Sequence, residues 1–336
     1  KVQGLTHVET PKFEGKDGAV TPSSEKPMVL VDPKTGKALG VSTPALKDGK
    51  EVGTYTVDET TGKVTFTPNK DFTGTANPIV VQVIEKETGK AIAGLKYTPT
   101  VTPVTPSGED VTSTGKQGKV QTGIPKFTQG DTEVPLKVDA DQPAKFVVNG
   151  TAVEETTIDA LKEGTKVGTY TIDPMTGEVT FTPNKDFVGT PDAVTVQVKD
   201  ENGTTVTAKY TPTVTAVTPT GEDVTSTGKQ GKVQTGIPKF TEGDAEVPLK
   251  VDADQPAKFL VNGTAVEETT IDALKEGKKV GTYTIDPLTG EVTFTPNIDF
   301  VGTPDAVTVQ VKDENGTTAT AKYIPTVTAV TPTGED

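Results

Sequence analysis

Residues 281–318 read GTYTIDPLTGEVTFTPNIDFVGTPDAVTVQVKDENGTT, and this stretch decides the fold. Apolar or aromatic side chains alternate along it with Thr and charged residues, for example at Tyr283 and Ile285 and again at Val292 and Phe294. A period of two places alternate side chains on opposite faces of an extended chain. The pattern therefore predicts half-buried antiparallel strands, each with one face inward and one face outward.

The breaks between these strands contain residues that favour turns. They read DPLTG at 286–290, TPN at 295–297 and DENG at 313–316. Pro presets φ, Gly accepts positive φ, and Asn or Asp side chains bond to the backbone two residues further on. The stretch is therefore predicted to fold as a series of β-hairpins.

The chain repeats this stretch. The same words occur at 168–205 and, more loosely, at 53–89. A short marker, VTPSGED or VTPTGED, starts at 104, 217 and 330, which gives a period of 113 residues. The second and third copies differ at nine positions, and all nine changes are mild or lie where exposure is expected. Solenoid repeats of about 20 to 50 residues need their neighbours to fold, whereas a unit of this size can bury its own core.

Four segments follow from the period. We predict a divergent first repeat at 1–103, a second at 104–216, a third at 217–329 and the start of a fourth at 330–336. The pattern is cut at both ends, which indicates an excerpt from a longer array, so that targeting and anchoring signals would lie outside it. Between copies, TPTVTPVTP and TPTVTAVTP combine Pro with β-branched residues and no Gly-Ser spacer, which predicts short, extended, semi-rigid links.

The second repeat serves as the template for the fold. Strands are predicted at 119–127, 134–138, 145–148, 151–154, 168–172, 178–182, 193–199 and 204–214. Residues 157–163, with Thr157 as a cap and Gly164 as a stop, are predicted to form one helical turn. Seven or eight short strands with regularly spaced turns indicate an all-β protein, made of tandem antiparallel β-sandwich (Ig-like) modules arranged end to end as an elongated rod.

Composition limits the function. The chain has no Cys, one His and a formal net charge of −14. Without Cys there are no disulfides, no thiolate catalysis and no Cys-based metal sites. The negative charge disfavours nucleic acid and anionic membranes as partners, and no apolar run reaches transmembrane length. We expect a monomer whose nearest partners are the neighbouring repeats of the same chain.

These words together resemble a known family. The stretches 281–297, 299–303 and 309–316, with GIPKF at 236–240 and DPKTG at 32–36, are similar to the repeat of CshA-type fibrillar adhesins of oral streptococci. The resemblance covers nearly the whole chain and implies a non-enzymatic stalk of a cell-wall-anchored surface fibril, located outside the cell. It also implies that a host ligand such as fibronectin is bound by a separate region outside these residues. The wall anchor is likewise expected to lie outside them.

A second hypothesis stays open at this point, namely that each repeat is itself an adhesive module for a host protein or glycan. Such a module would carry an exposed loop or aromatic patch that stands out from its surroundings. The recurrent rings of the second copy alternate with Thr on predicted strands, which favours a place in the core. These rings are Tyr170, Phe181, Phe187 and Tyr210.

The acidic hairpin tips are weak candidates for calcium. Asp200 and Asn202, with Asp313 and Asn315 in the next copy, offer clustered oxygens of the kind that Ca²⁺ prefers. The spacing does not fit an EF-hand loop, and a polar Asn-Gly hairpin turn is the simpler interpretation. A second possibility is an ion between repeats, for which the candidates are Asp139, Asp141, Glu109 and Asp110.

No catalytic residue or cofactor is predicted. His7 is the only imidazole and lies in the divergent copy, so an ordinary Ser-His triad is excluded from the other two. Neighbouring carboxylates such as Glu154 and Glu155 point to opposite faces of a strand and are not set for acid-base work on one bond. A Lys-Asn isopeptide bond at Asn184 or Asn297 is a remote alternative, because both residues follow Thr-Pro in predicted turns.

Overall fold

The computed structural model describes residues 1–335, and in these residues every regular element is a β-strand. Three separate clusters of buried side chains form three cores, one for each predicted repeat. The predicted fold class, tandem all-β sandwiches, is confirmed. No helix within 1–335 is long and apolar enough to cross a membrane.

Repeat 1 is a sandwich of two four-stranded sheets. Its strands are β1 (His7–Glu9), β2 (Phe13–Gly15), β3 (Gly18–Val20), β4 (Met28–Val31), β5 (Ala38–Gly40), β6 (Ser42–Lys47), β7 (Lys50–Val57), β8 (Val64–Pro68), β9 (Gly74–Thr75), β10 (Ile79–Ile84), β11 (Ala91–Tyr97) and β12 (Thr100–Val101). The sheets run β1-β8-β7-β6 and β11-β10-β4-β5, with β2 paired to β3 and β9 to β12.

Repeat 2 has a larger first sheet. Its strands are β13 (Ser107–Glu109), β14 (Val111–Lys116), β15 (Gln121–Gly123), β16 (Lys126–Thr128), β17 (Leu136–Lys137), β18 (Lys145–Val148), β19 (Thr151–Ala152), β20 (Thr157–Lys162), β21 (Thr165–Ile172), β22 (Val179–Pro183), β23 (Val194–Asp200) and β24 (Thr205–Thr215). The sheets run β14-β24-β23-β18-β19, with β17 also on β23, and β15-β22-β21-β20, while β13 pairs with β16.

Repeat 3 has the topology of repeat 2. Its strands are β25 (Thr220–Glu222), β26 (Val224–Lys229), β27 (Gln234–Gly236), β28 (Lys239–Thr241), β29 (Leu249–Lys250), β30 (Lys258–Val261), β31 (Thr264–Ala265), β32 (Thr270–Lys275), β33 (Lys278–Ile285), β34 (Val292–Pro296), β35 (Val307–Asp313) and β36 (Thr318–Thr328). The strand order of each sheet is that of repeat 2, with every strand number raised by twelve.

One strand pair in each of repeats 2 and 3 is parallel, whereas the other strand pairs within residues 1–335 are antiparallel. Strand β14 lies beside β24 in register from Val111 opposite Tyr210 to Lys116 opposite Thr215. Strands β26 and β36 repeat this pairing in repeat 3. In repeat 1 the corresponding contact within residues 1–335 is a single parallel bridge between Val2 and Thr102. An early strand of repeats 2 and 3 is therefore held along the last strand of the same repeat.

The recurrent aromatic rings build the core. Tyr170 and Phe181 pack with their rings tilted by 40° at a centroid distance of 5.3 Å, and Tyr210 meets Tyr170 edge-on at 6.4 Å. All three are almost fully buried, so the core interpretation is confirmed for them, while Phe187 is only half-buried and packs at the margin. The Tyr170 hydroxyl donates to the carbonyl of Asp192 at 2.7 Å, which satisfies its polar end.

The predicted helical turn at 157–163 is wrong. This segment is strand β20, in which Ile158 lies opposite Tyr170 and Ala160 opposite Gly168. Glu163 and Gly164 both have positive φ, at 49° and 80°, and form a two-residue hairpin turn to β21. The Gly signal therefore ends a strand rather than a helix. Six residues make too few helical hydrogen bonds to compete with pairing along a neighbouring strand.

Other predicted strands are present with changed limits. The hairpin around Asn149 and Gly150 is confirmed, with φ of 52° and 79° at the turn. The predicted strand 119–127 is instead two short strands, β15 and β16, with Pro125 between them. The predicted link after repeat 2 is largely strand, because β24 continues to Thr215. The last strand therefore leads almost directly into the next repeat.

Repeat 1 buries a histidine at a strand position where the other repeats bury a glutamine. His7 lies opposite Phe66, where Gln121 of repeat 2 lies opposite Phe181. The ring of His7 packs edge-on against Phe66 at 5.4 Å, and its Nε2 has no hydrogen-bond partner within residues 1–335. Burial, followed by the N-terminus and Lys1, lowers the pKa of His7, and Glu9 opposes them.

Repeat 1 is expected to lose stability in mild acid. The unfolded chain binds a proton at His7 near the ordinary pKa of 6.5, whereas the folded chain binds it only at lower pH, so stability falls as pH drops through this interval. Thermal unfolding at about pH 7 and about pH 5 should show this shift in repeat 1. The variant H7Q, which restores the residue of the other repeats, should remove it. An unchanged shift in H7Q would contradict the assignment.

Candidate functional site at the inter-repeat joints

One set of recurrent polar contacts lies where one repeat meets the next. Within residues 1–335 no group of three or more His, Cys, Asp or Glu side chains is placed to hold a metal ion. The candidate calcium residues lie at these meeting points, which we call joint 1, between repeats 1 and 2, and joint 2, between repeats 2 and 3. Each joint consists of a hairpin tip from the following repeat and a turn from the preceding one.

Asp200 shapes the tip of repeat 2. It ends strand β23 with its side chain fully buried, and its Oδ1 accepts the backbone N–H groups of Asn202 and Thr204, both at 2.9 Å. Asp313 makes the same two contacts in repeat 3. The carboxylate thus fixes the three residues that follow it, 201–203, which we call the tip. The other oxygen, Oδ2, has no partner within the described chain.

Asn202 points away from Asp200 and into the preceding repeat. Its side-chain amide donates to the carbonyl oxygen of Gln3 at 2.8 Å, although the two residues are 199 positions apart. Asn315 makes the equivalent bond to Gln117 at 2.9 Å. The structure therefore does not bring Asp200 and Asn202 together as one set of metal ligands. The carboxylate of Asp200 stabilises the turn, and the amide of Asn202 bonds across the joint.

The receiving turn contains a glycine for a steric reason. We call the Gln-Gly turns at 3–4, 117–118 and 230–231 the sockets. A Cβ on Gly4 would lie 1.8 Å from Oδ1 of Asn202, and one on Gly118 would lie 2.0 Å from Oδ1 of Asn315. Both glycines also have positive φ, 84° and 81°, which other residues adopt with strain. The third socket, at Gly231, has nothing within 4 Å of such a Cβ.

The socket glutamine joins three segments. Gln117 donates from Nε2 to the carbonyl of Lys185 at 2.9 Å and accepts at Oε1 the N–H of Val217, the first residue of repeat 3, at 3.1 Å. Gln3 makes the same two bonds in joint 1 (to Lys70 and from Val104). Because Gln117 and Val217 are both buried, these bonds are shielded from water. The start of each following repeat is therefore fastened to the end of the one before.

The two joints differ in charge. In joint 2, Nζ of Lys116 lies 2.9 Å from Asp244 and 3.3 Å from Glu246 of the next repeat. These hydrogen bonds raise the pKa of Lys116. The N–H of Glu246 and then Lys116 hold the pKa of Asp244 below its ordinary value. In joint 1, Val2 precedes the socket glutamine, and Nζ of Lys70 donates instead to the tip carbonyl of Glu201 at 3.2 Å.

Joint 2 is expected to depend on salt and joint 1 much less. Added salt screens exposed ion pairs, so the spread of distances between labels on repeats 2 and 3 should widen as salt rises. Since the folded pKa of Asp244 is lowered, the ion pair is intact at neutral pH and is lost only as pH falls through that lowered value. In K116V the salt effect should vanish. Distance measurements on doubly labelled chains test this, and labels across joint 1 supply the control.

The remaining candidates for an inter-repeat ion lie within single repeats. Oδ1 of Asp139 accepts the N–H groups of Asp141 and Gln142 in its own turn. Asp110 accepts the N–H of Lys209 at 2.8 Å. These carboxylates therefore hold local backbone, and the structure does not bring them to a joint.

The amide and carboxylate candidates for covalent or acid-base chemistry have simple partners. Asn184 donates from Nδ2 to the carbonyl of Lys166 at 3.2 Å, and Glu154 is paired with Lys145 at 2.6 Å at the surface. Repeat 3 shows both contacts again. Neither arrangement places a nucleophile against an activated carbon.

The sequence interpretation missed the sockets. Gln-Gly recurs at equivalent positions in the three repeats, at 3–4, 117–118 and 230–231, and a further Gln-Gly pair at 129–130 has no such counterpart. Gln-Gly, unlike Asn-Gly, has no strong turn signature of its own, so a single copy gives no signal for the socket. At the tips the sequence points to the oxygens as calcium ligands, whereas the structure uses the amide hydrogens of Asn202 and Asn315.

Comparison with known proteins gives one family. The family described as surface adhesin CshA repetitive domain matches residues 1–101, 103–214 and 216–327. No curated protein matches the chain by sequence. Similar solved structures are an I-band fragment of titin (10% identity, TM-score 0.31, 98% of this chain and 94% of that chain), mouse cadherin-23 EC22–24 (14%, 0.28, 95% and 99%) and a tetra-tandem repeat in the extending region of a large adhesion protein (14%, 0.23, 92% and 68%).

Proposed function

The chain belongs to the repetitive-domain family of the surface adhesin CshA, and from that premise we propose that its repeats form the stiff stalk of such an adhesin. In this proposal the stalk holds a distal host-binding region away from the cell wall. The wall anchor, and the region that binds a host ligand such as fibronectin, lie outside these residues. The observation that carries the proposal is the joint, because the same contacts recur between successive repeats.

The joints favour stiffness. A flexible stalk needs links whose ends move independently, as Gly-Ser linkers do. Here the tip amide of Asn202 and the N–H of Val104, both in repeat 2, bond to Gln3 of repeat 1. The other end of the Gln3 side chain is held by Lys70 of its own repeat, and joint 2 repeats these contacts. Bending a joint would break these bonds and expose buried polar groups, which is unfavourable. Each added repeat therefore extends the stalk in a defined direction.

The parallel pairing supports a load-bearing role. Traction along the stalk pulls the N-terminal end of β14 toward the preceding repeat and the C-terminal end of β24 toward the following repeat. Because these strands are parallel and paired from Val111 to Lys116, the pull acts along the pairing and all six residue pairs resist together. Resistance to traction is set by the rate of unfolding, which a barrier of this kind lowers. A stalk exposed to shear flow requires this property.

Small-angle scattering on the described chain tests the proposal. The native chain should give a maximum dimension close to three repeat lengths, and the double variant N202A/N315A should give a broader, more flexible profile. A compact native particle, or a native profile as flexible as the variant, would reject the stalk. Saturable binding of the chain to fibronectin or to salivary glycoproteins would instead support adhesive repeats.

A further inference from the structure

Four Asn-Gly pairs occur in the chain, at 149–150, 202–203, 262–263 and 315–316. At Asn-Gly the backbone nitrogen of glycine reaches the side-chain carbonyl carbon of asparagine with little hindrance, because glycine has no Cβ. Attack expels ammonia and closes a succinimide ring. Whether a given pair reacts therefore depends on how its local structure holds these two groups.

The four pairs lie in two different environments. Asn149 and Asn262 are exposed at two-residue hairpin turns, each with φ of 52°. Asn202 and Asn315 are half-buried in the joints. The amide of Asn202 is held by the carbonyl of Gln3 at 2.8 Å, and the N–H of Gly203 donates to the carbonyl of Asp200 at 2.9 Å. Both reacting groups at 202–203 are thus engaged in the closed joint, and opening the joint releases the side-chain amide.

We propose that Asn202 and Asn315 are modification sites at which opening of the joint permits deamidation, so that a transient opening becomes permanent. The glycine nitrogen bonds to Cγ of the asparagine, the Cγ–Nδ2 bond breaks, and the glycine amide proton leaves with the amide as ammonia. Water then opens the ring to an aspartyl or isoaspartyl residue. No oxidant, reductant or further reactant is required.

The product cannot restore the joint. A carboxylate at position 202 has no hydrogen to donate, and it faces the carbonyl oxygen of Gln3, which is also an acceptor. An isoaspartyl product in addition lengthens the backbone by one atom in a turn that Asp200 fixes with two bonds. Each modified joint therefore stays open, and the number of deamidated joints rises with the time that the joints have spent open.

Peptide mass spectrometry on the intact chain distinguishes the four sites. Cleavage after Lys places Asn202 in DENGTTVTAK and Asn315 in DENGTTATAK, and it places Asn149 and Asn262 in peptides that begin FVVNG and FLVNG. These four peptides differ in mass. After incubation at mildly alkaline pH, Asn149 and Asn262 should be deamidated at least about tenfold faster than the joint residues, because reaction at a joint requires local opening.

Two glycine variants link the protection to the joint itself. In G118A, which blocks joint 2, deamidation of Asn315 should rise toward the rate of Asn262, while Asn202 stays protected. In G231A, which changes a glycine of similar positive φ in a socket with nothing near the added Cβ, both joint residues should stay protected. Equal rates for all four sites in the native chain would overturn the proposal. So would an Asn315 rate that G118A leaves unchanged.

The effect of the modification on the joint is tested separately by a substitution that introduces the aspartyl product directly. N315D should widen the distance distribution between labels on repeats 2 and 3, as G118A does. N262D, the same change at an exposed hairpin, should leave that distribution unaltered. A native distribution in N315D would show that the joint tolerates the product, and the proposed permanence would be lost.

Discussion

G118A is expected to open joint 2. A Cβ at this position would lie 2.0 Å from Oδ1 of Asn315, which is far inside van der Waals contact, so the tip of repeat 3 cannot stay docked. The bond between Asn315 and the carbonyl of Gln117 is then lost. Distances between labels on repeats 2 and 3 should change from a narrow to a broad distribution, and the maximum dimension in scattering should become poorly defined.

G231A is the matched control for this result. Gly231 belongs to the third socket and has φ of 76°, close to the 81° of Gly118, but nothing lies within 4 Å of an added Cβ. Both variants therefore carry a similar strain of about 1 kcal/mol for a side chain at positive φ. Only G118A adds a clash with a neighbouring repeat. If both variants broadened the distribution equally, local strain rather than the joint would be responsible.

F181A should produce the largest loss of stability. The ring is fully buried between the sheets of repeat 2 and packs against Tyr170 at a centroid distance of 5.3 Å. Removing a buried phenylalanine ring destabilises a domain by about 3–5 kcal/mol, a large part of the roughly 5–15 kcal/mol that holds a typical domain folded. Repeat 2 is thus expected to be partly unfolded at physiological temperature. F187A, at a half-buried ring, should have a smaller effect.

Hydrogen exchange read by mass spectrometry shows where the loss occurs. Because each repeat has its own core, peptides of repeat 2 should exchange much faster in F181A while those around Phe294 of repeat 3 keep their protection. Simultaneous loss of protection in all three repeats would show that they unfold as one unit. It would also contradict the prediction that each repeat folds independently.

The sandwich could be predicted from the sequence because its signals are local. Alternation along 168–182 and the Asn149-Gly150 turn each specify a hairpin without reference to distant residues. The helical prediction for 157–163 is wrong because the Thr, Ile, Ala and Leu of this segment suit either a short helix or a strand. Pairing with β21 makes the segment a strand. Local propensity is a weak guide where a neighbouring strand offers a complete set of hydrogen bonds.

The joints could not be predicted from one sequence, for a physical reason. The partners Asn202 and Gln3 are 199 residues apart, and their contact depends on how two separate sandwiches meet at their ends. The near-identity of repeats 2 and 3 hides this further, because a residue that acts between copies looks the same as one that acts within a copy. The acidic tips stand out in the sequence as candidate calcium ligands, but the contact with Gln3 is made by the side-chain amide of Asn202.

The parallel pairing of β14 with β24 also governs the order of events during synthesis. Val111 pairs with Tyr210, which is synthesised almost a full repeat later. The first sheet of a repeat is therefore completed only when its last strand has been made. Closing so long a loop slows folding. Until then the first strand of the parallel pair has an unpaired edge. The last strand of an adjacent repeat has nearly the same sequence and could pair with that edge in the same register. Exchange of these strands between adjacent copies is therefore the misfolding route to which this architecture is most exposed.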